Sequence, residues 1–561
     1  MKRKLVRSLR IAGFAATLAW LAPACVEQSA NHGSAGPQGS AATNSPSTPT
    51  PALAQGTNTE PAIILTPKPP PTPRINGAKI FGVRPGHPFL FTVAATGDRP
   101  MTFSAQDLPS GLKLDPKTGQ ITGVIEKQGT YVVKLGAQNA RGKNSRDFKI
   151  VCGPVIGLTP ALGWNSWNVW GGAVTQERVK AAAEAMVSSG LINHGWTYIN
   201  IDDFWEKNPR RTTDATLQGV GRDESGKIVP NPRFPDIKGL ADYVHGLGLK
   251  IGIYSSPGPT TCGGCLASWE HEDQDAQTYA DWGFDYLKYD WCSYNQVLPA
   301  RTNNGVARSR QSGFTLDELK KPYQVMRSSL DKVPRDIMFS LCQYGMGNVW
   351  EWGAEPGVGG NSWRTTGDIQ ANWNSLANIG FRQFGHEKFA GPGHFNDPDM
   401  MIVGMVDVGS GRRLRPTGLS PNEQYTHVSL WCLLTGPLLI GCDLTALDDF
   451  TLSLLSNDEV LAVSQDPLGH QAGRIVKDGN LEIWAKDMED GSKAVGLFNR
   501  NDTATNVTAK WSDLGVTGKQ TVRDLWRQSD LGKFSGQFTA TVPRHGVVLV
   551  RVIPAKGWSL F

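Results

Sequence analysis

Tyr286-Leu-Lys-Tyr-Asp-Trp-Cys292 opens as a run of β-favouring side chains and stops on an acid. Similar apolar runs stand around it: Tyr198-Ile-Asn-Ile201, Lys250-Ile-Gly-Ile-Tyr254, Ile337-Met-Phe-Ser-Leu341 and Leu438-Leu-Ile440. Between them the apolar period lengthens to that of a helix. In Thr175–Leu191, the residues Val179, Ala183, Met186, Val187 and Leu191 fall on one stripe opened by Thr175 as a cap. Ile237–Leu247 and Thr315–Leu330 behave likewise. Such βα alternation over roughly 300 residues predicts a (β/α)8 barrel or a doubly wound sheet. No strand is followed by a phosphate-cradling G-x-G-x-x-G or G-x-x-x-x-G-K-[ST] loop, which favours the barrel.

The barrel reading covers 158–466 of 561 residues, and the flanks differ in texture. Residues 76–153 hold short alternating runs (Phe89–Val93, Met101–Phe103, Gln120–Thr122, Thr130–Lys134, Arg146–Ile150) cut by turn clusters, which predicts a small β-sandwich. The stretch Leu108–Gly123 resembles the immunoglobulin-like domain carried by many exported bacterial proteins. Residues 472–561 alternate again, through Leu481–Ala485, Lys493–Phe498, Thr521–Trp526 and Gly546–Val552, and predict a C-terminal antiparallel β-sandwich. The whole is a multidomain chain: an Ig-like sandwich, a central (β/α)8 TIM barrel and a second β-domain.

Residues 1–24 have the parts of an export signal, with a basic start, an apolar run from Ile11 to Leu21 and an Ala22-Pro23-Ala24 end. Cys25 directly after it admits two fates, lipidation as a surface or outer-membrane lipoprotein or simple cleavage to a periplasmic or secreted form. Residues 25–75, rich in Ser, Thr, Pro, Ala and Gly, read as a disordered linker ending in a stiff proline run. The net charge of +5 resides in that signal: without Lys2, Arg3, Lys4, Arg7 and Arg10, 51 basic residues face 51 acidic ones. A neutral mature chain has no electrostatic footprint for nucleic acid, and a lipid on Cys25 is the one expected membrane contact. The sequence sets no oligomeric state. Eighteen tryptophans suit sugar stacking, although most should fill cores.

Acids and other polar residues recur just after the apolar strand cores: Asp202-Asp203, Asp290, Arg364 with Asp368, and Asp397-Pro-Asp399. Each alone could cap a helix. Together, at the carboxyl ends of barrel strands, they converge on one mouth with Lys288, Arg364 and several tryptophans. Glycoside hydrolysis needs this inventory, because its transition state is cationic: one carboxylate traps the anomeric centre and a protonated one assists the leaving oxygen. No metal or other cofactor is required. H-E-x-x-H and G-x-S-x-G are absent from the sequence, Glu270-His-Glu-Asp273 reads as a solvated loop or helix start, and Cys262-x-x-Cys265 as disulfide material rather than zinc.

Seven motifs in order resemble glycoside hydrolase family 27, the α-galactosidase (melibiase) family, over roughly Leu158–Arg551: Gly163–Asn168, Asn200–Trp205, Gly252–Tyr254, Lys288–Cys292, Trp363–Asp368, Gly391–Met400 and Gln465–Gly469. The resemblance implies a retaining hydrolase acting on galactosyl oligosaccharides or polysaccharides. In it Asp290 is the nucleophile, kept ionised with help from Lys288, and Asp368 the acid/base, its pKa raised. Their carboxyl groups should stand about 5–5.5 Å apart. It further implies substrate contacts from Trp167, Asp202, Asp203, Tyr254, Lys288, Cys342, Gln343, Arg364 and Asp399, with Asp202 and Asp203 gripping the 4- and 6-hydroxyls. Cys262 and Cys292 match the family's disulfide beside the nucleophile.

This chain departs from that pattern at Cys342-Gln343-Tyr344, where relatives carry Cys-Glu-Trp, and at Cys265. The insertion Gly345–Gly360, with Trp350 and Trp352, is expected to build a leaving-group subsite. The competing activities are α-N-acetylgalactosaminidase, β-L-arabinopyranosidase and isomaltose release from α-glucan. A non-catalytic, glycan-binding surface lipoprotein is the alternative outside enzymology.

Overall fold

The structure, a computed structural model, describes residues 60–210, 212–298, 313–407 and 413–555. The signal segment, Cys25 and the linker as far as residue 59 lie outside them. Eight short parallel strands make the central sheet: β1 (Leu162–Asn165), β2 (Tyr198–Asn200), β3 (Lys250–Ser255), β4 (Tyr286–Asp290), β5 (Met338–Cys342), β6 (Ser362–Arg364), β7 (Phe395–Asp397) and β8 (Leu438–Ile440). They pair in the order β7-β6-β5-β4-β3-β2-β1-β8. The ends meet where Met401, just beyond β7, bridges in parallel to Ile440 of β8. The expected (β/α)8 barrel is present.

The helices around it follow the sequence pattern closely. In α1 (Gln176–Ser188) the Thr175 side chain accepts from the Arg178 N–H, and α2 (Ile237–Gly246) is capped by Asp236 in the same way. Before α4 (Leu316–Lys332), Thr315 and Glu318 form a reciprocal capping box. Helix α3 (Glu272–Trp282) begins inside the Glu270–Asp273 run, so that run is a helix start. Helix α5 (Trp373–Gly380) follows β6. The last long helix, α6 (Pro421–Leu434), was invisible to periodicity for a physical reason: from Glu423 to Leu434 every residue is buried, so no polar face exists to set a period.

Helix α6 is covered on its outer side by the C-terminal β-domain. Trp526 Nε1 donates to Ser429 Oγ at 2.9 Å, and His545 Nδ1 lies 2.7 Å from Glu423 Oε1. That domain holds a six-stranded sheet, in which Lys493–Asn499 and Val547–Pro554 are central, and a separate pair, Thr505–Lys510 with Gln537–Val542.

The Ig-like domain consists of a four-stranded sheet (Ile80–Val83, Gly142–Cys152, Gly129–Asn139, Thr102–Gln106) facing a three-stranded one (Pro88–Thr92, Gln120–Val124, Leu112–Leu114). Phe89, Phe103, Ile121, Val133, Leu135, Phe148 and Ile150 fill the space between. It docks on the amino-terminal end of the barrel: Arg84 Nε donates to Asp336 Oδ1 at 2.6 Å, and Thr92 Oγ1 to the Gly248 carbonyl at 2.7 Å. The linker reading of 25–75 needs correction where the chain is described. Leu65 packs on the barrel core, its N–H donates to the Tyr425 hydroxyl at 3.0 Å, Thr66 Oγ1 donates to the Ser453 carbonyl at 2.8 Å, and Arg74–Ile75 pairs with Ala95–Thr96. Those few apolar and hydrogen-bonding groups suffice to seat a segment whose composition alone reads as unfolded.

Tryptophan mostly fills space, as nine of the 18 are fully buried. At the barrel base, buried Asp285 accepts from Arg335 Nη2 (2.7 Å) and from the Ile251 N–H (3.0 Å), with His245 Nε2 at 2.8 Å. Burial opposes its charge, but Lys250, His245 and Arg335 outweigh that and hold the carboxyl well below its ordinary range. Asp285→Ala leaves the buried Lys250 and the half-buried Arg335 without their carboxylate, and should lower stability by about 3–5 kcal/mol. Shifts of the thermal and urea midpoints at neutral pH measure it. A carboxyl depressed on folding stabilises above its unfolded pKa, so wild type and variant should converge as the pH falls below about 4.

Candidate active site

At the carboxyl ends of the strands a cavity of about 200 Å³ is bordered by Trp167, Asn168, Asp202, Asp203, Tyr254, Cys262, Lys288, Asp290, Tyr344, Arg364, Asp368, Asp399 and Met400. The strand register explains the gathering. Asp290 ends β4, Arg364 ends β6, and Tyr254 precedes the last residue of β3, so parallel pairing brings all three to one rim. No residue of the Ig-like domain borders it.

Asp202 and Asp203 follow β2 and are anchored through their backbone and side chains. Asp202 Oδ2 accepts from Asn165 Nδ2 (2.9 Å) and Lys288 Nζ (2.8 Å). Asp203 Oδ2 accepts from the Gly263 N–H at 2.7 Å, and its Oδ1 from the Phe204 N–H at 2.8 Å. Burial pushes the Asp203 carboxyl up to about 7, against those hydrogen bonds. Burial also opposes charge on Lys288, yet Asp202 overcomes it and raises the ammonium well above its ordinary pKa. Lys288 therefore pairs with Asp202, and reaches Asp290 only through its field.

Asp290 is gripped by two phenols. Tyr344 Oη donates to Oδ1 at 2.6 Å and Tyr254 Oη to Oδ2 at 3.2 Å. Burial raises its pKa above the ordinary carboxylate value, while Lys288 and the Tyr344 hydrogen bond work the other way. Across the cavity Arg364, itself buried, divides one guanidinium nitrogen between Asp368 Oδ1 (3.0 Å) and Asp399 Oδ2 (2.9 Å). Burial pushes Asp399 up to about 6, opposed by Arg364. The Asp368 side chain is 60% exposed, the most open acid of the rim, and so can exchange protons with water.

Cys262 and Cys292 form a disulfide, which ties the loop after β3 to the loop after β4. Cys265 is instead a free, buried thiol. With Asp203 and Glu206 it brings donor atoms within 4.8 Å of one another, and this group could hold a cation among the described residues. Cys262, Asp290 and Cys292 also cluster, but their sulfurs are joined to each other. Burial pushes Glu206 well above the ordinary carboxylate range, and neither of its oxygens has a partner.

Trp167, Asp202, Asp203, Tyr254, Lys288, Asp290, Arg364, Asp368 and Asp399 thus come together as expected from the sequence. Cys342 and Gln343 do not border the cavity. Cys342 is buried beneath it, its sulfur 3.8 Å from Arg364 Nη1, and Gln343 is buried with Nε2 donating to the Met346 carbonyl at 3.2 Å. Cys342 is turned toward Arg364, and the bond from Gln343 to the Met346 carbonyl holds that amide within its own turn, so neither side chain is presented to a sugar. Tyr344 takes the place instead, turned inward by a left-handed backbone (φ 64°). Among the described residues Trp167 alone of the tryptophans borders the cavity. Trp352 lies in the core and Trp350 stacks on His386 at 3.9 Å, so neither lines the expected leaving-group subsite. Asn168 and Met400 were missed because nothing in their spacing sets them apart from strand-end packing.

A barrel whose mouth sets several carboxylates and three aromatic rings around a pocket large enough for a sugar is the site of a glycoside hydrolase. A family model described as Alpha galactosidase A matches residues 159–466, its C-terminal beta sandwich domain matches 478–552, and an Ig-domain model matches 71–153. The chain belongs to glycoside hydrolase family 27. It is 41% identical to an alpha-galactosidase of Cyamopsis tetragonoloba, over 71% of this chain and 87% of that one. Alpha-galactosidase I of Mortierella vinacea superposes with a TM-score of 0.61 at 35% identity, covering 71% of this chain and 97% of that one. A β-L-arabinopyranosidase of Geobacillus stearothermophilus gives 0.61 at 27% identity, covering 72% and 98%.

Gly263 shows how the disulfide loop serves the site. A Cβ there would meet the Phe204 ring at 2.5 Å, so only glycine lets its N–H reach Asp203. Gly263→Ala should raise KM for an aryl glycoside roughly tenfold, the equivalent of about 1.4 kcal/mol, with a smaller effect on kcat. Steady-state kinetics on the two proteins check this.

Proposed function

We propose that the protein is an exported, retaining α-galactosidase that releases terminal α-linked galactose from oligosaccharides or polysaccharide side chains. The observation that carries this reading is one cavity bordered by Asp290 and Asp368 together with the Asp202–Asp203 pair. Asp290 attacks the anomeric carbon while Asp368 gives its proton to the departing oxygen. Water, deprotonated by Asp368, then breaks the glycosyl-enzyme ester and restores both groups. Asp202 and Asp203 hold the 4- and 6-hydroxyls, and Trp167 covers the apolar sugar face. The names of the Cyamopsis and Mortierella relatives support galactose. Export rests on the signal-like residues 1–24, and the Cys262–Cys292 disulfide suits an oxidising compartment.

β-L-arabinopyranosidase is the second reading, favoured by the Geobacillus relative. An acid beside the 6-hydroxyl is wasted on a pentose that lacks it, and Asp203 is built to stay there. Nitrophenyl α-galactoside, α-N-acetylgalactosaminide and β-L-arabinopyranoside, assayed side by side, should give turnover dominated by the first; no α-galactoside turnover ends this reading. The first product seen by proton NMR should be α-galactose, as double displacement requires. Asp290→Asn and Asp368→Asn should each lower kcat by at least about 10³-fold while retaining weak sugar binding, read by calorimetry.

Asp290 must be ionised to attack, and burial raises its pKa. The acid limb of the kcat/KM profile should accordingly turn down at an apparent pKa above about 4, activity falling as protons are added. A limb at or below 4 contradicts the assignment.

A further inference from the structure

The two oxygens of Asp290 are not equivalent. Oδ1 lies 2.6 Å from the Tyr344 hydroxyl, a short charge-assisted bond, while Oδ2 has only the 3.2 Å contact with Tyr254. An oxygen whose charge is drawn into a short hydrogen bond is the poorer nucleophile, and the more loosely held one keeps its lone pair available. We propose that Tyr344 is a positioning residue: it clamps Asp290 through Oδ1 and so reserves Oδ2 for the bond to the anomeric carbon.

The loop after β5 is built around that placement. Tyr344 (φ 64°), Gly345 (83°), Gly347 (61°) and Asn348 (55°) all have left-handed backbones, a strained conformation that a tyrosine keeps only where its surroundings impose it. The imposition is visible. A Cβ at position 345 would meet the Thr365 carbonyl oxygen at 2.3 Å, so the loop can pass there only as glycine. Gln343 is buried beneath, holding the Met346 carbonyl, and the Arg364 guanidinium sits 5.9 Å from the centre of the Tyr344 ring. Burial raises the Tyr344 phenol far above its ordinary value, which keeps it a proton donor at every working pH.

In the first step Oδ2 bonds to C1 as the bond from C1 to the leaving oxygen breaks, and that oxygen takes the Asp368 proton. Oδ1 becomes the ester carbonyl, still accepting from Tyr344. In the second step water bonds to C1, its proton passes to Asp368, and the Oδ2–C1 bond breaks with its electron pair returning to Asp290. No outside co-reactant is needed.

The proposal rests on Asp290 being the nucleophile, and the experiment separates the two. A fluorinated galactoside that accumulates the covalent intermediate is applied to the full chain, and the labelled peptide is identified by mass spectrometry. A label elsewhere than Asp290 ends the underlying reading. With the label on Asp290, Tyr344→Phe should lower kcat roughly 10–100-fold with KM within about threefold, and should move the acid limb of kcat/KM to higher pH, since a bond that favours the ionised carboxylate is lost. Unchanged kcat and an unmoved acid limb overturn the proposal. Because Phe keeps the ring, thermal unfolding of the variant verifies that the loop is intact; should it fail to fold, a crystal structure of the trapped wild-type intermediate decides instead. An ester through Oδ2 with Tyr344 on Oδ1 upholds the proposal, and an ester through Oδ1 overturns it.

Discussion

Lys288 and Arg364 balance the charge of the barrel mouth, and the arrangement of the rim follows from them. Asp202, Asp203, Asp290, Asp397 and Asp399 are each 6% exposed or less, and among the described residues bordering the cavity Lys288 and Arg364 are the two cations. Water cannot screen charges placed there, so each carboxylate is held by a cation, by hydrogen bonds or by a raised pKa. Lys288 is committed to Asp202, and Arg364 to Asp399 and Asp368. Asp290, like Asp203 and Asp397, has no directly bonded cation, and it is the one held by phenols. Its charge is met by two hydroxyl dipoles and by the field of Lys288, and is not cancelled by a contacting cation.

Holding this many acids in so small a volume requires an unusual backbone. Phe204, Ser293, Tyr344 and Asp399 all have positive φ without being glycine, and each lies in or beside a loop of the rim. Such strain persists only where neighbours enforce it. Here the enforcement is traceable: Phe204 is pinned by Asp203 and by the close pass of Gly263, and Asp399 by Arg364 and the Ile369 N–H. The Cys262–Cys292 disulfide ties the loop of Ser293 to the neighbouring loop after β3.

The other domains support the barrel from positions remote from the chemistry. The Ig-like domain and the strap at Leu65–Thr66 bind the barrel's base and flank, and the C-terminal sheet covers α6, which would otherwise expose apolar surface. That division suits a barrel: stability is built at one end, and the loops at the other are free to carry residues chosen for reaction.

The sequence by itself determined the domain order, five barrel strands and three of the helices between them, because burial of one stripe or one face leaves a period in the letters. It also determined most of the rim, because an acid at a strand's carboxyl end has few other places to go. The strands at Leu162–Asn165, Ser362–Arg364 and Phe395–Asp397 were readable only as motifs, being three or four residues long, and α6 has no polar face at all. Only the tertiary structure decided that Lys288 serves Asp202, that Cys342 and Gln343 lie beneath the site, and that Tyr344 turns in to hold Asp290. Those choices depend on how a left-handed loop packs against the neighbouring strand end, a contact between residues far apart in the chain that no local pattern records.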